Sequence, residues 1–279
     1  MILAIPAWRR GFFKITGSVI EEALRRGHTV HLLWNHERKP GEALTQNNIW
    51  TRWPGIIIVQ GAWNHRTYDA VVGPALHLWS DLPAGPRYSL DDTWDQVITP
   101  LGHRLFQCWV TDYQREMWMR NHGWSELSHI IPAIWGHGVT GSTMLDAFPL
   151  DPIPIRMRYD LDRPVLLFMS LKFGVPHLWR KWWYRYTDYL TLVARLRDFA
   201  HERGWLLVAK TRGKNRDPVQ LAKLCDRVIG DEDLYPYTSA QLMTVAQWCV
   251  HFQSGACLEA AACGVPQLSI RIPHPHLAA

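Results

Sequence analysis

The sequence predicts an α/β protein made of two parallel-sheet domains, and three observations predict it. Apolar runs of strand length alternate with helical patterns from the N-terminus to about residue 135. Residues 136–163 are rich in Gly and Pro with little periodicity and read as an interdomain connection. The alternation resumes at Pro164 and continues to Ile270.

Met1 to Pro6 reads as a short buried strand, followed by a polar turn with Arg9, Arg10 and Gly11. From Ile15 to Arg26, Val19, Ile20, Ala23 and Leu24 fall at helical spacing; Gly27 ends the helix and Thr29 to Trp34 is the next strand. Such a β-α-β opening predicts parallel pairing through a right-handed crossover. A dinucleotide site would need GxGxxG in the first turn, and AWRRGFFKITG lacks it. Gly55 to Gln60, Tyr68 to Gly73 and Phe106 to Thr111 read as strands, Gln114 to Asn121 as a helix and His129 to Pro132 as a short strand.

In the second half, Pro164 to Leu171 is a buried strand and Lys172, Phe173 and Gly174 turn the chain after it. The run WRKWWYRY, Trp179 to Tyr186, reads first as a helical packing face with snorkelling basic side chains. Aromatic and basic residues so interleaved would also suit a membrane interface or stacked bases. Tyr189 to Arg203 is a helix, Trp205 to Ala209 a strand capped by Lys210 to Lys214, and Val228 to Gly230 leads into the acidic loop Asp231 to Asp233. The stretch from Ser239 to Ile270 then runs helix, strand, tight turn, helix, strand. Ser239 is placed as the N-cap, Trp248 to Phe252 as the strand and Gln253, Ser254 and Gly255 as the turn. Gly264 and Pro266 stop the helix Ala256 to Cys263.

At 279 residues the chain is long enough for two modest cores. A net charge of +5, with pI near 9.0, fits an anionic ligand and falls short of a polybasic nucleic-acid binder, so no nucleic-acid partner is expected. No segment approaches the roughly 20 apolar residues of a membrane span, and the N-terminus reads as a strand, so the expected location is cytoplasmic. Cys108, Cys225, Cys249, Cys257 and Cys263 are odd in number and lack CxxC spacing, which reads as buried free thiols in a reducing compartment. His274 and His276 lack a third ligand, so no metal is assigned. The 16 tryptophans and 14 histidines would line a sugar site or equally fill cores and surfaces.

A loop of small residues opening a helix presents backbone N–H groups where the helix dipole favours negative charge, which makes Ser254 and Gly255 a phosphate site. Glu259, about one turn further, suits sugar hydroxyls. The combination SGxxxEAxxxGVP resembles the nucleotide-sugar site in the second domain of GT-B fold glycosyltransferases and related nucleotide-sugar 2-epimerases. In those families the turn holds the diphosphate and the Glu holds the ribose. VTGSTMLDAF, Val139 to Phe148, resembles the VTGxxxxD segment near the domain junction of the 2-epimerases and the CDP-glycerol glycerophosphotransferases. SVIEEALRRGHTVHLL resembles the first crossover of GT-B N-terminal domains.

The resemblance implies a GT-B-like fold of two Rossmann-like domains with a cleft between them. Residues 1–135 would form the acceptor side and residues 164–279 the nucleotide-sugar side. Ligands of open parallel sheets bind beyond the carboxyl ends of strands, where Lys172, Lys210, Arg212 and Ser254 all fall. Converging there, the cations would neutralise a diphosphate leaving group. Lys210 and Arg212 also resemble the basic residue that follows the equivalent strand in the glycerophosphotransferases. For deprotonating an acceptor hydroxyl the candidates are Asp91, Asp92, His65 and His137, with no spacing that selects one. The glycines around His137, in WGHG, allow close backbone approach to a ligand, although a hinge is the favoured reading there.

The implied function is metal-independent transfer of a glycosyl or polyol-phosphate group from a nucleotide-diphosphate-activated donor to a cell-surface polysaccharide or lipid-linked acceptor. The activated sugar is a co-substrate and no further cofactor is expected; peripheral contact with the inner face of the membrane is compatible with this. One alternative is a 2-epimerase-like enzyme, against which SGACLEA stands where those relatives carry SGGxQEE. Another is a catalytically inactive nucleotide-sugar-binding protein. After Ile270 only RIPHPHLAA remains, where GT-B proteins continue for a further strand or two and a helix, so the chain reads as short or truncated at this end.

Overall fold

Strand β1, Ile2–Ala7, is buried from Leu3 onward, as expected of a parallel strand covered on both faces. The computed structural model describes residues 1–7, 10–34, 46–61, 63–74, 82–90, 105–109, 134–139, 142–170, 186–211, 220–252 and 254–270. Helix α1, Phe13–Arg25, turns Phe13, Ile15, Ile20 and Ala23 inward. It ends in a Schellman motif: the N–H of Gly27 donates to the Leu24 carbonyl and that of His28 to the Ala23 carbonyl, with Gly27 at φ +74°. The chain then enters β2, Thr29–Trp34, parallel to β1.

A short helix α2, Gln46–Arg52, precedes β3, Ile57–Gln60, and β4, Ala70–Pro74, pairs on the other side of β1. Strands β5, Arg87–Leu90, β6, Leu105–Trp109, and β7, Ile134–Val139, extend the sheet outward. The order is β3-β2-β1-β4-β5-β6-β7, parallel throughout. The expected helix 114–121 and strand 129–132 lie outside the described residues.

The chain passes to a second unit between Asp146 and Ala147. The expected connection, residues 136–163, therefore holds ordered elements of both units. Gly136 and Gly138 lie in edge strand β7, where they leave no apolar alternation to read. Helix α3, Pro152–Tyr159, carries Pro152 and Pro154 in its first turn, where a missing N–H costs no helical bond. The Asp151 carboxylate caps it, accepting from the Ile153 N–H at 3.0 Å. Ile155, Tyr159 and Leu161 join the second core.

Strands β8, Val165–Met169, β9, Leu206–Lys210, β10, Arg227–Ile229, β11, Ala246–His251, and β12, Gln267–Ser269, form a parallel sheet in the order β10-β9-β8-β11-β12. Helices α4, Tyr186–His201, α5, Leu221–Leu224, α6, Thr238–Val245, and α7, Ala256–Ala262, belong to this unit. Alternation along β8 sends Val165 and Leu167 into one core and Leu166 and Phe168 into another, so each face of the sheet is covered.

Ser239 is not the N-cap expected of it: α6 starts at Thr238, and Ser239 lies buried inside the helix. Thr238 Oγ1 accepts the backbone N–H groups of Glu232 and Asp233 at 2.9 and 3.1 Å, tying down the acidic loop instead. The run Trp179 to Arg185 lies outside the described residues, as do His274 and His276. Among the described residues no helix is long and apolar enough to cross a membrane.

Candidate functional site

Both sheets reverse direction beside their first strand. In the second unit the chain builds outward from β8 through β9 to β10, then returns to add β11 and β12 on the other side. The crevice beyond the carboxyl ends of β8 and β11 is thus the topological switch point, where open α/β sheets bind ligands. Ser254 and Gly255 connect β11 to α7 at this point.

The turn is held from within. The Ser254 N–H donates to His251 Nδ1 at 3.3 Å, and Ser254 Oγ accepts the Ala256 N–H at 3.3 Å. The Cys257 and Leu258 N–H groups donate to the Ser254 and Gly255 carbonyls, both at 3.1 Å. Outward-pointing donors are therefore fewer than the small-residue pattern implied, because the helix opens with tight i to i−3 bonds. Nothing lies within 4 Å of where a Cβ on Gly255 would sit, so glycine keeps this turn bare without any demand from packing.

Glu259 lies in the first turn of α7 and is 4 % exposed. The Tyr237 O–H donates to its carboxylate; burial first, and then the charge of Glu259, pushes the Tyr237 phenol well above its ordinary range. Burial, with Glu259 next, also raises the Cys249 thiol to about 12. The carboxylate expected to hold the ribose thus sits against Tyr237, with Cys249 close enough to feel its charge.

Lys210 ends β9 and is 4 % exposed. Its Nζ donates to Asp231 Oδ1 and to the Thr211 carbonyl, each at 2.5 Å. The cation expected to face a leaving group is paired with an acid. Parallel pairing of Ile229 with Lys210 brings Asp231 to it, a proximity that sequence distance concealed. Lys172 and Arg212 lie outside the described residues.

Of the acceptor-side candidates, His65 and His137 fall within the described residues. His65 closes the short turn Trp63–His65 after β3 and is exposed, while His137 lies within β7, paired with Gln107 of β6, and not in a connecting loop. Strands β3 and β7 are the opposite edges of the sheet. Six spacings of roughly 4.8 Å put those edges about 29 Å apart. Asp91 and Asp92 lie outside the described residues, directly after β5 in the chain. Among the described residues no group of three or more His, Cys, Asp or Glu side chains is arranged to hold a metal ion.

Sequence reasoning missed His251. Its only signal was a histidine closing an apolar strand just before the turn, a position that a buried core residue fills equally well.

This topology defines the class: two Rossmann-like α/β units in one chain. Among solved structures, S. aureus MnaA, determined with UDP, aligns with TM-score 0.55 over 97 % of this chain and 78 % of its own, at 12 % identity. Arabidopsis thaliana UGT89C1, complexed with UDP-L-rhamnose, aligns with TM-score 0.52 over 99 % of this chain and 80 % of its own, at 11 % identity. The E. coli heptosyltransferase WaaC, with ADP-2-deoxy-2-fluoro heptose, gives TM-score 0.48 over 96 % and 88 %, at 12 % identity. No family model and no curated protein sequence matches this chain. The likeness to MnaA and UGT89C1 is one of fold, and the chain has the GT-B fold.

Proposed function

We propose that this chain binds a nucleotide-diphosphate-activated sugar at the switch point of its second sheet and transfers the glycosyl or polyol-phosphate group to a saccharide or lipid-linked acceptor. The observation that carries the reading is the position of the Ser254–Gly255 turn between β11 and α7. It stands where this class of sheet receives ligands, in a fold shared with MnaA, solved with UDP, and UGT89C1, solved with UDP-L-rhamnose.

Ser254 and Gly255 would approach the diphosphate through backbone, unobstructed by a side chain at Gly255. Glu259 would accept ribose hydroxyls in the orientation set by Tyr237. Arg212 and Lys172, which follow β9 and β8 in the chain, would carry the leaving-group charge, a role that leaves the pair of Lys210 with Asp231 intact. With that charge met by side chains and the helix dipole, the reaction needs no metal. Asp91 follows β5, one strand beyond the switch-point strand β4, and is the base assigned to the acceptor hydroxyl.

The test is a thermal-shift titration with UDP, ADP, CDP and GDP, repeated on Arg212→Ala and Gly255→Asp. A nucleotide at 100 times its Kd adds about 2.7 kcal/mol of stability. One nucleotide should stabilise the wild type, with the shift reduced in both variants, since Gly255→Asp puts a like charge at the phosphate position from a Cβ that has open space around it. A folded wild type that responds to none of the four overturns the reading.

A further inference from the structure

His251 is the last residue of β11, 2 % exposed, and both of its ring nitrogens are engaged. The Ser254 N–H can only donate, so the Nδ1 facing it at 3.3 Å presents a lone pair. Nε2 then carries the proton and donates to Gln267 Oε1 at 2.9 Å. That contact orients the Gln267 amide, whose Nε2 donates to the Cys257 carbonyl at 3.3 Å. Each assignment fixes the next, and one tautomer satisfies all three bonds.

The three bonds link specific places. Gln267 opens β12 and pairs with Cys249 of β11, so both side chains of the relay, His251 and Gln267, stand on the sheet. At its inner end the relay holds the backbone N–H of Ser254, at the start of the turn. At its outer end it holds the carbonyl of Cys257, in the first turn of α7. The segment between, with Gly255 at its centre, is thereby gripped on both sides.

We infer that His251 is a positioning residue for the nucleotide turn: through Ser254 and, by way of Gln267, Cys257, it fixes the backbone that receives the diphosphate. This rests on the reading of the switch point as the nucleotide site. Both ring nitrogens are taken up by Ser254 and Gln267, so His251 acts through the turn and touches no substrate. Its contribution is preorganisation, sparing the cost of ordering the turn when the nucleotide arrives.

The test compares His251→Asn, whose amide oxygen stands near the lost Nδ1, with His251→Gln, whose amide nitrogen stands near the lost Nε2 and offers Ser254 no acceptor. In the ligand-free protein, 15N NMR of the wild-type imidazole should show the Nε2–H tautomer. The Ser254 amide should exchange about tenfold faster in His251→Gln than in wild type or His251→Asn, the effect of one lost hydrogen bond. Affinity for the nucleotide that stabilises the wild type should fall about tenfold in His251→Gln and by less in His251→Asn, which keeps the Ser254 bond and loses only the Gln267 one.

Gln267→Met, on exposed β12, cuts the relay while keeping the imidazole and its Nδ1 bond to Ser254; it should weaken binding in the same direction and serves if His251→Gln does not fold. An Nδ1–H tautomer, equal losses in both His251 variants, or wild-type affinity in Gln267→Met overturns the inference. If the wild type binds no nucleotide, the site reading fails and the assignment of His251 to a nucleotide turn fails with it. The tautomer and Ser254 exchange would then still show whether His251 grips the turn.

Discussion

Lys210 and Asp231 form an ion pair at 2.5 Å, with the lysine side chain 4 % exposed and the aspartate 31 % exposed. The asymmetry in burial predicts an asymmetry in cost. Lys210→Met leaves Asp231 able to regain water, and the loss should be about 1–2 kcal/mol. Asp231→Ala strands a buried ammonium and should cost about 3–5 kcal/mol. Urea unfolding of the two variants measures both, and equal losses would show that the lysine reaches water. Nucleotide affinity should be kept in Lys210→Met and lost in Arg212→Ala.

Tyr237 and Glu259 form a further buried polar contact near the site. Tyr237→Phe removes this donor from a buried carboxylate, a loss of about 1–3 kcal/mol. Adding Glu259→Gln should cost less in the Phe background than alone, and a double-mutant cycle on unfolding free energies reads the coupling. Strict additivity would mean that the two side chains do not share a bond.

Burial pushes the Cys225 and Cys249 thiols up to about 12, with Asp226 and Glu259 respectively adding to the effect. Below pH 9, the ordinary value, both folded and unfolded chains keep these protons and stability is unaffected. Between about pH 9 and 12 the unfolded chain releases them while the folded chain retains them, so stability falls through that window. Cys225→Ala and Cys249→Ala should each flatten the alkaline decline in urea midpoint. At pH near 8, about the α-amino range, mass spectrometry after alkylation should find Cys257, which is half-buried, modified well before either of them.

In the first unit Gly85 has φ +138°, and a Cβ there would lie 2.4 Å from the Tyr68 carbonyl oxygen. Gly85→Ala should destabilise the protein by about 1–3 kcal/mol through backbone strain alone, with further loss from the clash. Gly255→Ala, where there is open space, is the control and should unfold near the wild-type midpoint.

The strands that the sequence made legible are those that are mostly apolar and buried. Strand β2 was bounded to the residue, and β8 and β9 nearly so, because apolar runs between polar residues leave one reading. Strand β5 was missed because RYSL alternates polar residues in a buried strand, with Arg87 donating to the Leu82 and Pro83 carbonyls. At the site, the turn and its helix were legible from Ser254 to Gly264, since Gly and Pro mark local geometry. What escaped were partnerships between elements distant in the chain. Asp231 beside Lys210, Tyr237 beside Glu259 and Gln267 beside His251 are all made by tertiary packing, which no local pattern encodes.

Strand β8 is the common wall of two cores, lined by Val165 and Leu167 on one side and Leu166 and Phe168 on the other. Neither layer can open without uncovering the same five residues of backbone. The second unit should therefore open as one cooperative block, and the amides of β8 should be among the last in it to exchange with deuterium.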